Sequence, residues 1–414
     1  MAPTATHYEE LADKIEAILQ NPEAATEVKD EKLRRRIAED GRKLGIFFEE
    51  PGDTLRRFGY MHFQLPLAQI GVESGIFSTL AAEPQRMFTN TDLAQKTGVD
   101  PKLLKRLVRY YQSLNVISQV EEDGYMSNNV TRTLGNGAYG TTVRFFQKVI
   151  APGSMELPGF LQRHGYRDPS GLTPSAWNIS HDTDLPPFPW TGQTPWALDL
   201  FLPYMNIQRE GRPAFFDVLD FEKQFAQNTT NSTPLFVDVG GSMGAQCVEF
   251  RKRYPDLVGR VVLQDLPAAI EKVKANPLPG SQNVEAEAYD FFTPEPIKGA
   301  RAYYLRNVLH DWPDSQCVEI LINIKAGMTE ESVILIDETV LSEQDAPWRA
   351  TQHDIEMMTV FGAQERTRAE WACLVHKAGL NIREVLRYSE EYEDSLIVVQ
   401  LKQGYLVKQY QGCL

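Results

Sequence analysis

The C-terminal half of the chain alternates short apolar runs with segments of helical spacing. Seven runs rich in β-branched and aromatic residues lie at 235–239, 261–264, 284–288, 302–306, 332–337, 381–387 and 395–401. Apolar runs of this length between helices are typical of strands buried on both faces. The pattern predicts an α/β domain with a seven-stranded, mostly parallel sheet covered by helices on both sides.

The N-terminal third has a helical pattern instead. Residues 8–50 show helical spacing with charged faces, and residues 58–80 are apolar and helical. Two short helices follow, and their boundary signals are Thr91 or Asn90 as the first cap, Gly98 as the stop, Asp100 as the second cap and Pro101 at the next first position. The apolar stripe of the second helix is formed by Leu103, Leu104, Leu107, Val108 and Tyr111.

Two short strands, Val116–Val120 and Tyr125–Ser127, surround an Asp123-Gly124 turn and complete a winged-helix pattern. Such a domain either places its second helix in the DNA major groove or serves as a scaffold for dimerisation. The helix is basic, but the wing carries Glu121-Glu122-Asp123, which would face phosphates with the wrong sign. Dimerisation is therefore the stronger interpretation.

The middle of the chain predicts a different kind of structure. Residues 151–195 are rich in proline, glycine and aromatic residues, which indicates an ordered loop or lid. A helical pattern returns from Thr194 to Phe225, and the polar stretch Asn228–Thr233 separates it from the α/β segment.

Composition narrows the class of protein. The 414 residues are 42% hydrophobic and 24% charged, as in a soluble globular protein of two or three structural units. A formal net charge of −14 argues against a primary nucleic-acid role. The widely spaced Cys247, Cys317, Cys373 and Cys413 lack zinc-ligand spacing and predict reduced thiols. With no signal peptide and no apolar run of ~20 residues, the expected compartment is the cytoplasm.

The segment Leu-Phe-Val-Asp-Val-Gly-Gly-Ser-Met-Gly at 235–244 carries the first chemical signal. A strand, a glycine turn and a helix open a nucleotide-binding βαβ unit, because small residues let the backbone approach a ligand. Asp265 lies 25 positions after Gly240, close to the spacing of a carboxylate that binds ribose hydroxyls. Together they favour a cofactor that contains a nucleoside.

A second signal follows the fourth strand of this domain, where His310 stands at the carboxyl end at which α/β proteins bind ligands. The structural alternative is that Asp311 caps a helix starting at Trp312-Pro313 and that His310 has no chemical role. Glu338, after the next strand, and Glu365, before a helix starting near Arg368, favour chemistry. A carboxylate beside an imidazole fixes its tautomer and raises its basicity, as a general base requires.

The motifs of this chain resemble, in order and spacing, those of the plant and fungal caffeate-type O-methyltransferases. They are Val-Asp-Val-Gly-Gly-x-x-Gly, Leu-Gln-Asp-Leu-Pro, Asp-Phe-Phe at 290–292, Leu-Arg-Asn-Val-Leu-His-Asp-Trp-Pro-Asp, Asp-Glu and Gln-Glu-Arg-Thr. The resemblance implies a Rossmann-like methyltransferase domain that binds S-adenosyl-L-methionine and a mostly helical winged-helix domain that forms a homodimer. The expected division is a dimerisation domain over 1–135, a linker contributing to the substrate pocket over 136–230 and a catalytic domain over 231–414.

The resemblance also implies residue roles, with no metal. His310 would be the general base, steered by Glu338 and Glu365. Asp265 would hold the ribose hydroxyls, and Asp290 and Phe291 would bracket the adenine. The full cofactor set is Asp238, Gly240, Gly241, Asp265, Leu266, Asp290, Phe291 and Arg306, and the substrate set is Trp196, Phe201, Met205, Asp311, Met357 and Met358.

One position departs from the family pattern. The family commonly has glycine where this chain has Ser242, and the bulky Met243 follows it. Serine is small enough for the turn, so cofactor binding is expected to survive.

Three function classes follow from the sequence. The leading one is methyl transfer to a hydroxyl of a bulky, mostly apolar aromatic or polyketide-type metabolite, because the His310, Glu338 and Glu365 set is complete. The second, which only the resemblance to the fungal members of the family implies, is a pericyclase that keeps the fold and cofactor but rearranges its substrate. The third, a non-catalytic scaffold or DNA-binding regulator, is disfavoured by the acidic wing.

Overall fold

The computed structural model describes residues 5–20, 28–171, 173–208 and 212–402. It divides into two compact units. An N-terminal unit comprises residues 1–147 with 199–207, and a C-terminal unit comprises residues 148–198 with 208–414.

In its described residues, the N-terminal unit consists of helices and one hairpin. Its helices are Ala5–Leu19, Glu31–Phe47, Pro51–Tyr60, Gln64–Glu73, Ile76–Ala82, Asn90–Thr97, Pro101–Ser113, Asn129–Gly135 and Gly137–Phe145, with a short 3₁₀ turn at Met61–Phe63. The apolar stretch expected to be helical over 58–80 is divided among several helices, and Gly75, with a left-handed φ of +75°, separates Gln64–Glu73 from Ile76–Ala82. The first three helices contain no buried residue.

The two short helices and the hairpin predicted next in the chain are present. The first cap is Thr89 rather than Thr91 or Asn90, because its hydroxyl accepts the Asp92 N–H in a reciprocal capping box. The second cap is Asp100, as predicted. Strands β1 (Ser118–Glu121) and β2 (Gly124–Met126) pair antiparallel.

The second of these helices packs its apolar stripe inward. Leu104, Leu107, Val108 and Tyr111 are buried, but Leu103 is exposed and does not belong to the stripe. Phe77 is buried in the same core and lies against Gly71, where an added Cβ would stand 2.3 Å from its ring.

The segment predicted as a loop or lid contains three helices joined by non-helical stretches. Its helices are Ala151–Arg163, Ala176–Ser180 and Pro187–Gln193. Trp177 is fully buried and donates its indole N–H to the Val149 carbonyl over 2.7 Å. Two of these helices begin with a proline in the first turn, where a missing N–H costs nothing, and Ala151–Arg163 also contains Pro158 in its interior. A further helix, Pro195–Ile207, passes from one unit into the other, and Phe221–Phe225 precedes the sheet.

The C-terminal unit is built on a mixed sheet. Its strands are β3 (Pro234–Val239), β4 (Arg260–Asp265), β5 (Glu285–Ala288), β6 (Ala302–Arg306), β7 (Val333–Leu341), β8 (Arg366–Thr367), β9 (Leu380–Arg387) and β10 (Asp394–Leu401). The order is β5-β4-β3-β6-β7-β10-β9, with β8 beside β7. Pairs from β5 to β7 are parallel, and β10 pairs antiparallel with β7 and β9. All seven predicted strands are therefore confirmed, and β8 is additional.

Helices cover both faces of this sheet. They are Ala245–Arg253, Pro267–Ala275, Asp314–Lys325, Trp348–Phe361 and Arg368–Lys377. Alternate residues of the central strands enter opposite cores, as Tyr303 and Tyr304 do on β6. With both faces covered, the carboxyl ends of the parallel strands are where side chains can meet a ligand.

Strand β7 is longer than the sequence indicated, which changes the position of Glu338. The parallel pairing of β6 with β7 ends at Arg306 opposite Asp337, whereas β7 continues against β10 to Thr339 and against β8 to Leu341. Glu338 therefore lies inside the strand, one residue beyond the end of β6, rather than after the strand.

Two remaining expectations concern membranes and cysteines. Within the described ranges, no helix combines the length and apolarity that a membrane crossing needs. Cys247 and Cys317 are free and buried, but Cys373 is disulfide-bonded, so the prediction of reduced thiols is wrong for that residue. Wide spacing along the chain does not reveal pairing in space. Cys413 lies outside the described residues.

Candidate functional site

The glycine turn, Gly240–Gly244, follows β3 directly. Gly240 and Gly244 have φ values of +73° and +82°, a region that favours glycine. A Cβ on Gly241 would stand 2.5 Å from the Asp238 carboxylate and 2.6 Å from Leu263. The turn therefore requires glycine for close packing as well as for backbone conformation.

Asp265 ties this turn to the end of β4. Its carboxylate accepts the backbone N–H of Ser242 over 2.8 Å and that of Leu266 over 2.7 Å. Ser242 itself is left-handed, with φ +53°. Burial raises the pKa of Asp265, and the two backbone N–H groups oppose that rise. Leu266 is more than half exposed.

Asp238 and Arg306 stand at neighbouring strand ends. Asp238 is buried, which raises its pKa to about 7, and it accepts a weak hydrogen bond from the Cys247 thiol at 3.6 Å. The Arg306 Nε lies 3.7 Å from Asp337 Oδ2. Asp337 also accepts hydrogen bonds from the hydroxyls of Tyr304 and Tyr388.

Asp290 and Phe291 follow β5 in a tight turn. The exposed Asp290 accepts the Phe292 N–H over 3.0 Å, and the Phe291 carbonyl accepts from Asn323 over 3.1 Å. A Cβ on Gly240 would meet the Phe291 ring at 3.7 Å, so this ring borders the glycine turn. The structure thus brings the predicted cofactor residues to the carboxyl ends of β3, β4, β5 and β6.

His310 lies in a short 3₁₀ helix, Leu309–Asp311, after β6, and it is 5% exposed. Its Nδ1 is 2.8 Å from Glu365 Oε1 and 3.6 Å from Glu338 Oε2, while its Nε2 is 3.5 Å from Asp311 Oδ1. We call His310, Glu338, Glu365 and Asp311 the histidine cage. Since a carboxylate can only accept, Nδ1 carries the proton in the bond to Glu365.

The backbone around the histidine cage is held by one of its carboxylates. Glu338 Oε1 accepts the N–H groups of Val308 and Leu309, each over 2.9 Å. Asp311 caps no helix, because the next helix begins at Asp314 with Pro313 at the cap position. The alternative in which Asp311 acts only as a helix cap is therefore wrong.

The charged groups of the histidine cage shift one another's pKa values. Burial alone would lower the pKa of His310, but Glu338, Glu365 and Asp311 together raise it to about 10. Burial would raise the pKa of Glu365, yet His310 and the hydrogen bonds it receives lower it below the ordinary range. Burial raises the pKa of Asp311 to about 7. At neutral pH the resting cage pairs a protonated His310 with an ionised Glu365.

Two residues of this region were missed by the sequence analysis. His353, on the helix Trp348–Phe361, places its Nδ1 2.8 Å from Glu365 Oε1, so one oxygen contacts two imidazoles. The fully buried Arg366 donates to the Leu309 and Trp312 carbonyls over 3.1 and 2.9 Å. Arg366 stood within the Gln-Glu-Arg-Thr motif, which was a signal, whereas nothing in the sequence distinguished His353.

The predicted substrate residues are spread over the chain. Met357 is buried and Met358 half-buried on the helix that carries His353, and Trp196 is 46% exposed with its ring 5.7 Å from that of Trp190. Phe201 and Met205 belong to the N-terminal unit, where Phe201 contacts Phe145 with ring centroids 5.9 Å apart. Their role in substrate binding stays a prediction.

Comparison with known proteins identifies the class. Residues 218–381 match the O-methyltransferase domain model. The O-methyltransferase ucdC of Aspergillus ustus is 38% identical over 371 residues, which cover 89% of this chain and 94% of that protein. The chain belongs to the S-adenosylmethionine-dependent O-methyltransferase family.

Solved structures agree with this assignment. The LepI complex with S-adenosylmethionine has a TM-score of 0.86 and 32% identity, covering 94% of this chain and all of that one. A structure described as a pericyclic reaction enzyme has a TM-score of 0.85 at 32% identity, with the same coverage. The methyltransferase-type α/β fold with an N-terminal helical region is confirmed.

The cofactor of the family is S-adenosylmethionine, and the residues present fit it. The glycine turn leaves no room for a Cβ at Gly241 and brings backbone to the edge of the sheet. Asp265 offers a partly buried carboxylate, whose oxygens can each accept more than one hydrogen bond. Ser242 donates its backbone N–H to Asp265, as any residue at this position could. Serine in place of the family's glycine is therefore compatible with the turn.

Proposed function

We propose that the protein methylates a hydroxyl of a bulky aromatic or polyketide-type metabolite, with His310 as the general base. The observation that carries this proposal is the histidine cage. A buried imidazole held by Glu365 through Nδ1 keeps Nε2 as the nitrogen that exchanges a proton with substrate.

The acidity of the substrate and the basicity of His310 are matched. A phenol has a pKa of about 10, and the cage raises the pKa of His310 to about 10. Proton transfer converts a phenol and a neutral imidazole into a phenolate and an imidazolium, and the two pKa values are about equal. The proton therefore moves between them at little cost in free energy, which is the condition for efficient general-base catalysis.

We assign the remaining residues by the same logic. S-adenosylmethionine supplies an electrophilic sulfonium methyl group when it is bound. With the cofactor bound, Asp265 would hold its ribose hydroxyls, Phe291 would border its adenine, and the backbone of the glycine turn would lie against it. Much of the acceleration comes from alignment of the acceptor oxygen with the methyl carbon.

The substrate class that we propose follows from apolar and aromatic side chains of the C-terminal unit. Met357 and Met358 lie on the helix that carries His353, and Trp196 presents an indole ring that is about half exposed. Methionine and aromatic side chains suit a large apolar ligand. We assign them, with Asp311 beside His310 Nε2, to substrate contact.

A pericyclic activity is the second candidate, because a structure described as a pericyclic reaction enzyme has the same fold at 32% identity. Such a reaction needs no proton acceptor, so the complete histidine cage favours methyl transfer. The test is a screen of hydroxylated aromatic and polyketide compounds with labelled cofactor. Labelled product with equimolar demethylated cofactor supports the proposal. An isomer of unchanged mass, with no demethylated cofactor, would establish the pericyclase instead.

We further propose a homodimer formed through the N-terminal unit. The helices Ala5–Leu19, Glu31–Phe47 and Pro51–Tyr60 bury no residue, yet Phe47 is 78% and Leu55 74% exposed. Apolar surface of this kind is covered in a soluble protein by a partner. Light scattering should give twice the 46.9 kDa chain mass, and Leu55→Glu should lower it. A monomer mass for the unaltered protein would contradict the proposal.

A further inference from the structure

We propose that His310, His353 and Glu365 form an inhibitory binding site for a zinc-type divalent ion. Glu338 supplies the fourth ligand. The site lies behind His310, on the Nδ1 side of the ring, whereas the proton exchange assigned above uses Nε2. The inhibitory effect rests on the proposed function, but the binding site does not.

The ligand atoms are already close together. One ligand atom each from His310, His353 and Glu365 can be chosen so that all lie within 4.8 Å of one another. Glu365 Oε1 is 2.8 Å from both Nδ1 atoms. Ligand atoms about 2.0–2.1 Å from a tetrahedral zinc are separated by about 3.3 Å. Each short contact therefore opens by about half an ångström, which side-chain rotation provides.

Two buried carboxylate oxygens point to a missing partner in this cluster. Glu338 Oε2 and Glu365 Oε2 accept no hydrogen bond from the described residues. Glu338 Oε2 stands 3.6 Å from His310 Nδ1, close to the separation of two ligands on one tetrahedral ion. A buried carboxylate oxygen without a partner is costly, and an ion bound by Glu338 Oε2 supplies a partner for that oxygen and offsets the charge of both carboxylates.

The donor set selects the kind of ion. Two imidazole nitrogens with carboxylate oxygens suit zinc, cobalt or nickel, whereas magnesium and calcium take oxygen ligands. Glu338, Glu365 and His310 are buried, but the His353 side chain is 30% exposed and gives an ion a route inward. Binding displaces the Nδ1 protons of the two histidines to solvent.

An ion at this position would inhibit catalysis in a defined way. With a metal on Nδ1, the neutral His310 ring keeps its remaining proton on Nε2, so it has no lone pair to accept a substrate proton. Asp265 and the glycine turn are not ligands, so cofactor affinity should not change. The expected signature is loss of methyl transfer with cofactor binding intact.

The binding test uses the full-length protein after treatment with a chelator. Titration with Co²⁺ should produce the visible absorption bands of four-coordinate cobalt, with one ion per chain by calorimetry. His353→Asn keeps an amide that can donate to Glu365 but lacks the imidazole ligand. Because a direct ligand is lost, binding should weaken by more than the about 10–100-fold that follows loss of an outer-shell partner. His62→Asn, at an exposed histidine of the N-terminal unit, should bind cobalt as the unaltered protein does.

The inhibition test compares each protein with its own metal-free rate. Zinc should suppress methyl transfer by the unaltered protein and by His62→Asn, and a chelator should restore it, while His353→Asn resists. Equal cobalt binding by the unaltered protein and His353→Asn would overturn the site, as would six-coordinate spectra alone. If no methyl transfer is found, the cobalt titration still decides the site. If methyl transfer proceeds and cobalt does not bind, only the metal site fails.

Discussion

The glycine turn and the histidine cage lie at carboxyl strand ends of one sheet, but they are built differently. The turn is local, because Gly240, Gly241 and Gly244 act through backbone conformation and are joined to Asp265 by a backbone hydrogen bond to Ser242. In the cage, by contrast, His310, Glu338 and Glu365 come from distant parts of the chain and meet only through buried side chains. Under the proposed function, cofactor binding therefore depends on backbone shape and catalysis on charge, and substitutions should alter the two separately.

The largest expected effect separates chemistry from cofactor binding. His310→Gln keeps a polar side chain but removes the base, so turnover should fall by about 10²–10⁴-fold. Cofactor affinity, measured by calorimetry, should be unchanged because the glycine turn is untouched. His376→Gln, on the helix Arg368–Lys377, is the matched control and should keep full turnover. Equal turnover of His310→Gln and the unaltered protein would remove His310 from the chemistry.

The next effect concerns pH. Because the pKa of His310 is raised to about 10, kcat/KM should increase as the pH rises from neutral toward that value. Glu338→Gln still accepts the Val308 and Leu309 N–H groups but removes a negative charge. The pKa of His310 should then fall, moving the rising limb to lower pH by about 1–3 units. If the rising limb of the pH profile of Glu338→Gln stays at the same pH as that of the unaltered protein, Glu338 is neutral in the working enzyme.

A smaller effect is expected at the cofactor carboxylate. Asp265→Ala should weaken S-adenosylmethionine binding by about 1–3 kcal/mol, through lost charge-assisted hydrogen bonds. Asp265→Asn keeps the shape and should lose less. Asp256→Ala, at an exposed aspartate of the same unit, controls for net charge. Undiminished affinity in Asp265→Ala would place the ribose elsewhere.

The smallest effect tests whether the turn works through its backbone. Ser242→Gly relieves a left-handed serine and should raise the free energy of unfolding by up to about 1 kcal/mol. Cofactor affinity should stay the same, since the residue 242 N–H remains available to Asp265. Ser242→Val should destabilise, because a β-branched residue tolerates this conformation poorly. Denaturant titration measures both changes. Weaker cofactor binding by Ser242→Gly would mean that the serine side chain contacts the cofactor.

The sequence predictions succeeded where the signal was local. The seven strands were recognised from short apolar runs, and Asp100 was recognised as a cap from its place before Pro101. They failed where a local signal was ambiguous. Prolines over 151–195 indicated a loop, but several of them lie in helices. The extra length of β7 follows from pairing with β10 and β8, which no single window of sequence contains.

The sequence by itself determined the class of this protein, because strand spacing, the glycine turn and Asp265 are patterns along the chain. It also supplied the catalytic candidates His310, Glu338 and Glu365 as separate motifs. Only the tertiary structure decided how they act together. The packing of the helix Trp348–Phe361 brings His353 to Glu365, and the buried Arg366 fixes the carbonyls around His310. These contacts arise from burial and charge across 12 to 57 residues of separation, which sequence periodicity does not encode.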